Sequence, residues 1–161
     1  MNRLLSALAG AVSPYRDWAL LLFRLVLGGM FIWHGWPKIS GGPVVWERLG
    51  QAMATFGITV APAFWGFMAS FSEFGGGIMI LLGLFYRVGA MLLFFTMFTA
   101  FCTQIADGKG LSKASQSFEV GFSFFAAIFI GPGKYSLDSL FGLEDDGKLR
   151  LPQGLSKTGC G

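Results

Sequence analysis

The chain has 161 residues and a net charge of +3; 53% of its residues are apolar and only 13% are charged. Soluble domains usually carry about a quarter charged residues, so this composition argues against a soluble enzyme. The positive charges are scattered through loops and tails and form no basic patch, so nucleic acid is not an expected partner. The apolar residues gather into blocks of membrane-crossing length, which predicts an integral membrane protein whose main partner is the lipid bilayer.

The chain divides into three parts by polarity. Residues 1–17 are an N-terminal segment in which NRLLSALAGAVS, residues 2–13, resembles a weak signal peptide. A second hydrophobic block follows almost at once, so a short interfacial helix is favoured over a cleaved leader. Residues 18–142 are the predicted membrane domain, and residues 143–161 form a polar C-terminal tail.

Four apolar blocks are predicted to cross the membrane. Tryptophans near both ends of the first block are typical of the interfacial belt, and Pro37 is expected to end that helix. The fourth block is short, follows a polar loop over residues 107–116, and crosses only if its ends extend. The predicted spans are residues 18–36, 62–84, 88–106 and 117–130.

Residues 44–59 are too polar to span the membrane, and their apolar positions recur at helical spacing. The predicted fold is therefore all-α: a four-transmembrane-helix bundle with an extra amphipathic helix between spans 1 and 2. Seven lysines and arginines would flank the side that holds both termini, against four on the other side. The excess of flanking positive charge predicts cytoplasmic termini.

Three ionisable side chains fall inside the predicted spans: Arg24, Glu73 and Glu119. Each costs about 2.5–3.5 kcal/mol at the centre of a membrane helix, so such groups usually face the bundle and pair. Counting residues from the span ends makes an Arg24–Glu73 ion pair geometrically plausible. The pair would serve either as a structural lock between two helices or as part of a functional site.

A polar cluster is also expected toward the outer end of the bundle. His34 and Lys38 lie one turn apart near the end of the first span, and Glu119 lies near the start of the fourth. Gln104 and Cys102 lie near the end of the third span. Lys38 or His34 could instead extend to the interface, and Cys102 could be a small buried hydrophobe. One histidine and no clustered carboxylates argue against a metal site, and no disulfide is expected between Cys102 and Cys160.

Three sequence stretches together resemble the DoxX family of small four-span bacterial membrane proteins. They are FRLVLGGMFIWHGWPK in the first span, SEFGGGIMILLGLFYRVGA across the second and third, and GPGKYSLD at residues 131–138. In the last stretch Lys134 replaces the family's usual arginine, and Glu119 stands where the family typically carries an acidic residue. For Lys134, Tyr135 and Asp138 we expect a position at the lipid headgroups.

The resemblance implies a four-helix bundle in the bacterial inner membrane. It also implies a redox association, since one relative is described as a subunit of a thiosulfate:quinone oxidoreductase. On this hypothesis a quinone is the cofactor and the protein is the membrane subunit of an oxidoreductase with a partner redox subunit. Glu73 and Glu119 would relay protons. The ligand-binding residues would be Arg24, His34, Lys38, Cys102 and Gln104.

A second hypothesis keeps the fold and removes the ligand. Relatives linked to membrane-protein maturation imply a non-catalytic scaffold that holds a partner protein. Its contacts would be the segment at residues 44–59 and the C-terminal tail. A transporter is the weaker third alternative, because four spans offer a narrow pathway unless the chain forms a homo-oligomer.

Overall fold

A computed structural model describes residues 13–143, and it contains helices and turns but no strand over that range. The predictions for residues 1–12 and 144–161, which include most of the tail, lie outside the described residues. Two short 3-10 helices, Ser13–Tyr15 and Gln51–Phe56, accompany the α-helices. The α-helices in chain order are α1 (Arg16–Ser40), α2 (Gly42–Gly50), α3 (Pro62–Leu82), α4 (Tyr86–Ala106), α5 (Leu111–Ile130) and α6 (Leu137–Leu140).

Helix α1 continues through Pro37 to Ser40, so the prediction that Pro37 ends the first helix is wrong. A proline removes one backbone donor, and in the last turn of a helix that loss affects a single hydrogen bond. The last turn gains an outside partner, because the Trp46 Nε1 group donates to the Lys38 carbonyl at 3.0 Å. The extension keeps Lys38 on the helix, where it faces α3.

Helices α1 and α3 run antiparallel with their backbones in contact, and glycine makes this approach possible. A Cβ atom built on Gly28 would lie 2.7 Å from the backbone nitrogen of Leu81. One built on Gly35 would lie 2.6 Å from the backbone nitrogen of Phe74. Small residues let membrane helices pack this closely, so the seam fixes the register of α1 against α3.

The four long helices α1, α3, α4 and α5 surround one apolar core. Its fully buried members include Ile80 of α3, Leu93 of α4 and Phe124 of α5, and α1 contributes Phe31 at its edge. The Phe31 and Phe124 rings meet edge to face with their centroids 5.0 Å apart. Helix α5 therefore closes the bundle between α4 and α1.

Helix α5 begins at Leu111, six residues before the predicted start of the fourth span. Ala114 in its first turn is fully buried, and the Gln104 side chain of α4 donates to the Ser117 hydroxyl at 2.9 Å. The expected loop over residues 107–116 is thus wrong in its second half. Packing against α4 stabilises helix in a segment whose polar composition suggested a loop.

Three of the described helices, α1, α3 and α4, are long and apolar enough to cross a membrane. Together they identify the chain as an integral membrane protein. Helix α2 lies across α3 at a point where Gly50 and Gly66 leave no room for side chains. A Cβ atom on Gly50 would overlap the Pro62 carbonyl, and one on Gly66 would overlap the Trp46 carbonyl. Helix α2 and the 3-10 helix Gln51–Phe56 that follows it are together called the α2 segment. This segment is therefore held against one end of the bundle, called here the α2 end.

Candidate functional site

Arg24 lies at the opposite end of the bundle, with 2% of its surface exposed, and it binds backbone carbonyls. Its guanidinium donates to the carbonyls of Ile80 and Leu81 at the end of α3, both at 3.0 Å. It also donates to the Tyr135 carbonyl at 2.8 Å and the Pro132 carbonyl at 3.4 Å. The last carbonyls of a helix lack partners inside it, so Arg24 ties the end of α3 to residues 131–136. The expected Arg24–Glu73 pair is wrong.

Asp138 completes this end of the bundle from the segment GPGKYSLD. Its carboxylate accepts from the backbone N–H groups of Phe85, at 2.8 Å, and Tyr86, at 2.9 Å. A carboxylate at this position caps the first turn of α4 and complements its dipole. Asp138 is only 4% exposed, so its carboxylate faces the bundle and does not contact lipid headgroups directly. Only its position after a GPG turn could have suggested this role.

Glu73 pairs with Lys38 instead. The Lys38 Nζ atom lies 2.6 Å from Oε1 and 2.5 Å from Oε2 of Glu73, so the ammonium contacts both carboxylate oxygens. The Glu73 side chain is 7% exposed and that of Lys38 is 35% exposed. The pair joins the last turn of α1 to the middle of α3 and leaves no net charge there.

A cavity of about 370 Å³ lies beside this ion pair at the α2 end. Most of its wall is apolar, and it includes Trp65, Met68 and Phe95. Residues of α1, α2, α3 and α4 and of the 3-10 helix Gln51–Phe56 line it; among the described residues none of α5 does. The cavity thus lies on the α3–α4 side of the bundle, with the α2 segment along its wall. Lipophilic ligands with a few polar groups occupy sites of this size and polarity.

Two hydroxyl groups in the cavity wall have no hydrogen-bond partner within residues 13–143. They belong to Ser72 on α3, which is 8% exposed, and to Thr99 on α4. By contrast, the Thr96 hydroxyl donates to the Leu92 carbonyl at 2.9 Å, a common arrangement for a hydroxyl on a membrane helix. Sequence analysis missed Ser72 and Thr99, because a lone serine or threonine on an apolar helix usually has such a local partner.

The other predicted site residues do not join Lys38. His34 and Glu119 are exposed on α1 and α5, and neither lines the cavity. Gln104 bonds to Ser117, and Cys102 is a half-buried free thiol. Over the described part of the chain no hydrogen bond or ion pair connects these four side chains to the Lys38–Glu73 pair, so the single expected cluster does not form.

Comparison with known proteins gives one family and one curated relative. The family model named DoxX matches residues 19–105, more than half of the chain. The inner membrane protein YqjF of Escherichia coli strain K12 is 32% identical over 132 residues, which cover 80% of this chain and 96% of the relative. No solved structure matches the chain.

The family match includes residues from both ends of the bundle. Arg24, Lys38 and Glu73 lie within the matched residues, together with the glycine seam between α1 and α3. The relative extends the similarity beyond the family model, since its alignment covers four-fifths of this chain. The matched range, the membrane-crossing helices and the alignment to YqjF agree: the chain belongs to the DoxX family.

Proposed function

We propose that this protein binds a quinone or a similar small lipophilic redox ligand in the cavity beside Lys38 and Glu73. It would act as an inner-membrane subunit of an oxidoreductase system. The observation that carries the proposal is the combination of an apolar cavity of about 370 Å³ with one ion pair in its wall. Specific sites for lipophilic ligands are typically apolar with a few placed polar groups.

The residues of the cavity fit the chemistry of a quinone. Trp65 and Phe95 offer aromatic surface to a flat ring, and Lys38 offers an ammonium group to a ring carbonyl. Glu73 holds that ammonium in place and could exchange a proton at the same carbonyl. A quinone when bound would supply two-electron, two-proton redox chemistry, and a partner redox subunit would supply the electrons.

The proposal narrows the set of ligand-binding residues inferred from sequence. Of the three cationic donors, Arg24 is committed to backbone carbonyls at the other end of the bundle, and His34 lies outside the cavity wall. Lys38 therefore remains as the donor, and Glu73 as the proton-exchanging acid. Glu119 is exposed on α5 and takes no part in this version of the site.

We further propose that α5 is a fourth membrane span and that both termini are cytoplasmic. Helix α5 packs along α4, from the Phe101–Phe118 ring contact to the Phe94–Phe125 contact, so the two helices cover a common depth. The name of the relative YqjF supports an inner-membrane location. The flanking positive charges favour cytoplasmic termini, which would put the α2 end on the periplasmic side.

The ligand proposal is tested on protein purified into lipid nanodiscs. Solvent extraction followed by chromatography should recover a quinone, and a benzoquinone with a decyl tail should bind saturably in titrations that follow tryptophan fluorescence. Glu73→Gln should weaken this binding. Glu119→Gln, which removes a carboxylate outside the cavity, is the matched control and should bind as the native protein does. Absence of both bound quinone and saturable binding would sink the proposal.

The alternative role, a scaffold or maturation factor for a partner protein, has one observation in its favour. Apolar side chains are exposed around the α2 segment, with Val44 71% and Val60 75% exposed. A crosslinker placed at Val60 in intact membranes should capture a single partner protein if this role holds. Ligand-binding variants would then leave the captured partner unchanged.

A further inference from the structure

We infer that Ser72 and Thr99 bind a polar group of the ligand in addition to the contact proposed for Lys38, and that this group is uncharged. The inference rests on the proposed assignment of the cavity as the ligand site. It adds two side chains that sequence reasoning did not select. It also narrows the ligand class to neutral molecules that carry a carbonyl or hydroxyl group.

Ser72 of α3 lies in the cavity wall with 8% of its surface exposed. Its hydroxyl makes no hydrogen bond within the described residues. A hydroxyl that lines a cavity and has no partner in the protein can donate to, or accept from, a polar group that occupies the cavity. Its neighbour Ser70 is fully buried, and the Ser70 hydroxyl donates to the Gly66 carbonyl at 2.7 Å. Helix α3 thus provides a local partner at one serine and leaves the other serine to a ligand.

Thr99 repeats the pattern on the facing helix. Its backbone carbonyl accepts from the Thr103 hydroxyl at 2.9 Å, but no partner within residues 13–143 meets its own hydroxyl. One turn earlier, Thr96 also lines the cavity and bonds to its own helix. The cavity therefore has one available hydroxyl from α3 and one from α4. Since a hydroxyl both donates and accepts, the two can bind either a carbonyl or an alcohol.

The charge of the cavity wall selects the ligand class. Lys38 and Glu73 are the two ionisable residues in the wall, and they are paired with each other. An anionic ligand would compete with Glu73 for the ammonium and leave a carboxylate unpaired in an apolar site. A neutral polar group can accept from Ser72 or Thr99 while the ion pair remains intact. The wall therefore favours ketones, quinones and alcohols over fatty acids or inorganic anions.

The test measures equilibrium binding of three labelled probes to protein in nanodiscs, with empty nanodiscs as the blank. The probes are a benzoquinone with a decyl tail, decan-2-one as a neutral ketone without redox activity, and decanoate as an anion of matched length. For the benzoquinone and the ketone we expect Ser72→Ala and Thr99→Val each to weaken binding about 3–10-fold, the range for one hydrogen bond. Thr99→Ser should restore binding, Ser70→Ala should change nothing, and decanoate should not bind.

The outcomes separate this inference from the quinone proposal. If the native protein binds decan-2-one in a Ser72-dependent way but does not bind the benzoquinone, the quinone proposal fails and the inference stands. If Ser72→Ala and Thr99→Val bind the benzoquinone as the native protein does, the inference fails and the quinone proposal stands. Decanoate binding as tight as ketone binding overturns the inference, and binding of no probe overturns both. Matched thermal unfolding of each variant excludes loss of fold as the cause.

Discussion

Lys38 of α1 and Glu73 of α3 form an ion pair in which the ammonium lies within 2.6 Å of both carboxylate oxygens. The two partners differ in burial, since the Glu73 side chain is 7% exposed and that of Lys38 is 35% exposed. Removing either partner leaves the other charge unpaired. The resulting loss of folding stability is larger when the remaining side chain cannot reach the membrane interface. A lysine near a helix end can extend to the interface, whereas Glu73 in the middle of α3 cannot.

Lys38→Met should therefore destabilise the protein more than Glu73→Gln does. We expect Lys38→Met to cost about 3 kcal/mol, the typical result of leaving a buried charge without its partner. The double variant Lys38→Met/Glu73→Gln should recover part of the loss, because no unpaired charge remains. Unfolding in mixed micelles with increasing SDS measures all three. Equal losses in the two single variants would contradict the assignment of Glu73 as the buried member.

Arg24 should resist replacement even by lysine. Its guanidinium donates to carbonyls of α3 and of residues 131–136 at once, and a lysine ammonium cannot reproduce that planar fork. Arg24→Lys should lower the amount of folded protein in the membrane, and Arg24→Ala should lower it further. Arg16→Lys, at an exposed position on the same helix, is the control and should have no effect. A normal amount of folded Arg24→Lys protein in the membrane would show that a positive charge alone stabilises this end of the bundle.

Much of the helical framework follows from the sequence, but the pairing of its charges does not. Block length and aromatic flanks predicted α1, α3 and α4 closely, because hydropathy over about 20 residues reports membrane crossing directly. The Arg24–Glu73 pair failed because partner choice depends on the register of α1 against α3. That register is set by backbone contact at Gly28 and Gly35, which residue counting cannot supply.

Helix α1 continues through Pro37 and keeps Gly28, Gly35 and Lys38 toward α3. Lys38 therefore meets Glu73 and not the outer polar cluster that was expected for it. The cavity was beyond sequence analysis for a related reason. It arises where the α2 segment lies over α3 and α4, and that placement depends on the Gly50–Gly66 contact.

Adjacent glycines in α1 provide a matched test of the seam with α3. A Cβ atom on Gly28 would lie 2.7 Å from a backbone atom of Leu81, whereas one on Gly29 would meet nothing within 4 Å. Gly28→Ala should destabilise the fold by about 1–3 kcal/mol, the usual cost of overpacking. Gly29→Ala should be neutral or slightly stabilising, since alanine favours helix. Equal behaviour of the two variants in thermal unfolding would rule out backbone contact at Gly28.

Asp138 should stabilise the start of α4 through its two backbone hydrogen bonds. Asp138→Ala leaves the N–H groups of Phe85 and Tyr86 without their acceptor, at a cost of about 1–2 kcal/mol. Asp138→Asn keeps one acceptor oxygen and should cost less. Amide hydrogen exchange measures the effect locally, with faster exchange expected at Phe85 and Tyr86 and no change at the end of α4. Uniformly faster exchange along α4 would point to global loss of stability instead.

Phe95 lines the cavity and is also 62% exposed on the outer side of α4, one of the membrane-crossing helices. A molecule dissolved among the lipid chains can therefore reach this wall by diffusion in two dimensions. The relevant concentration is then its mole fraction in the membrane, which for an apolar molecule far exceeds its concentration in water. Occupancy would follow the ratio of ligand to lipid, so diluting a fixed amount of ligand with extra lipid should empty the cavity even at constant protein concentration.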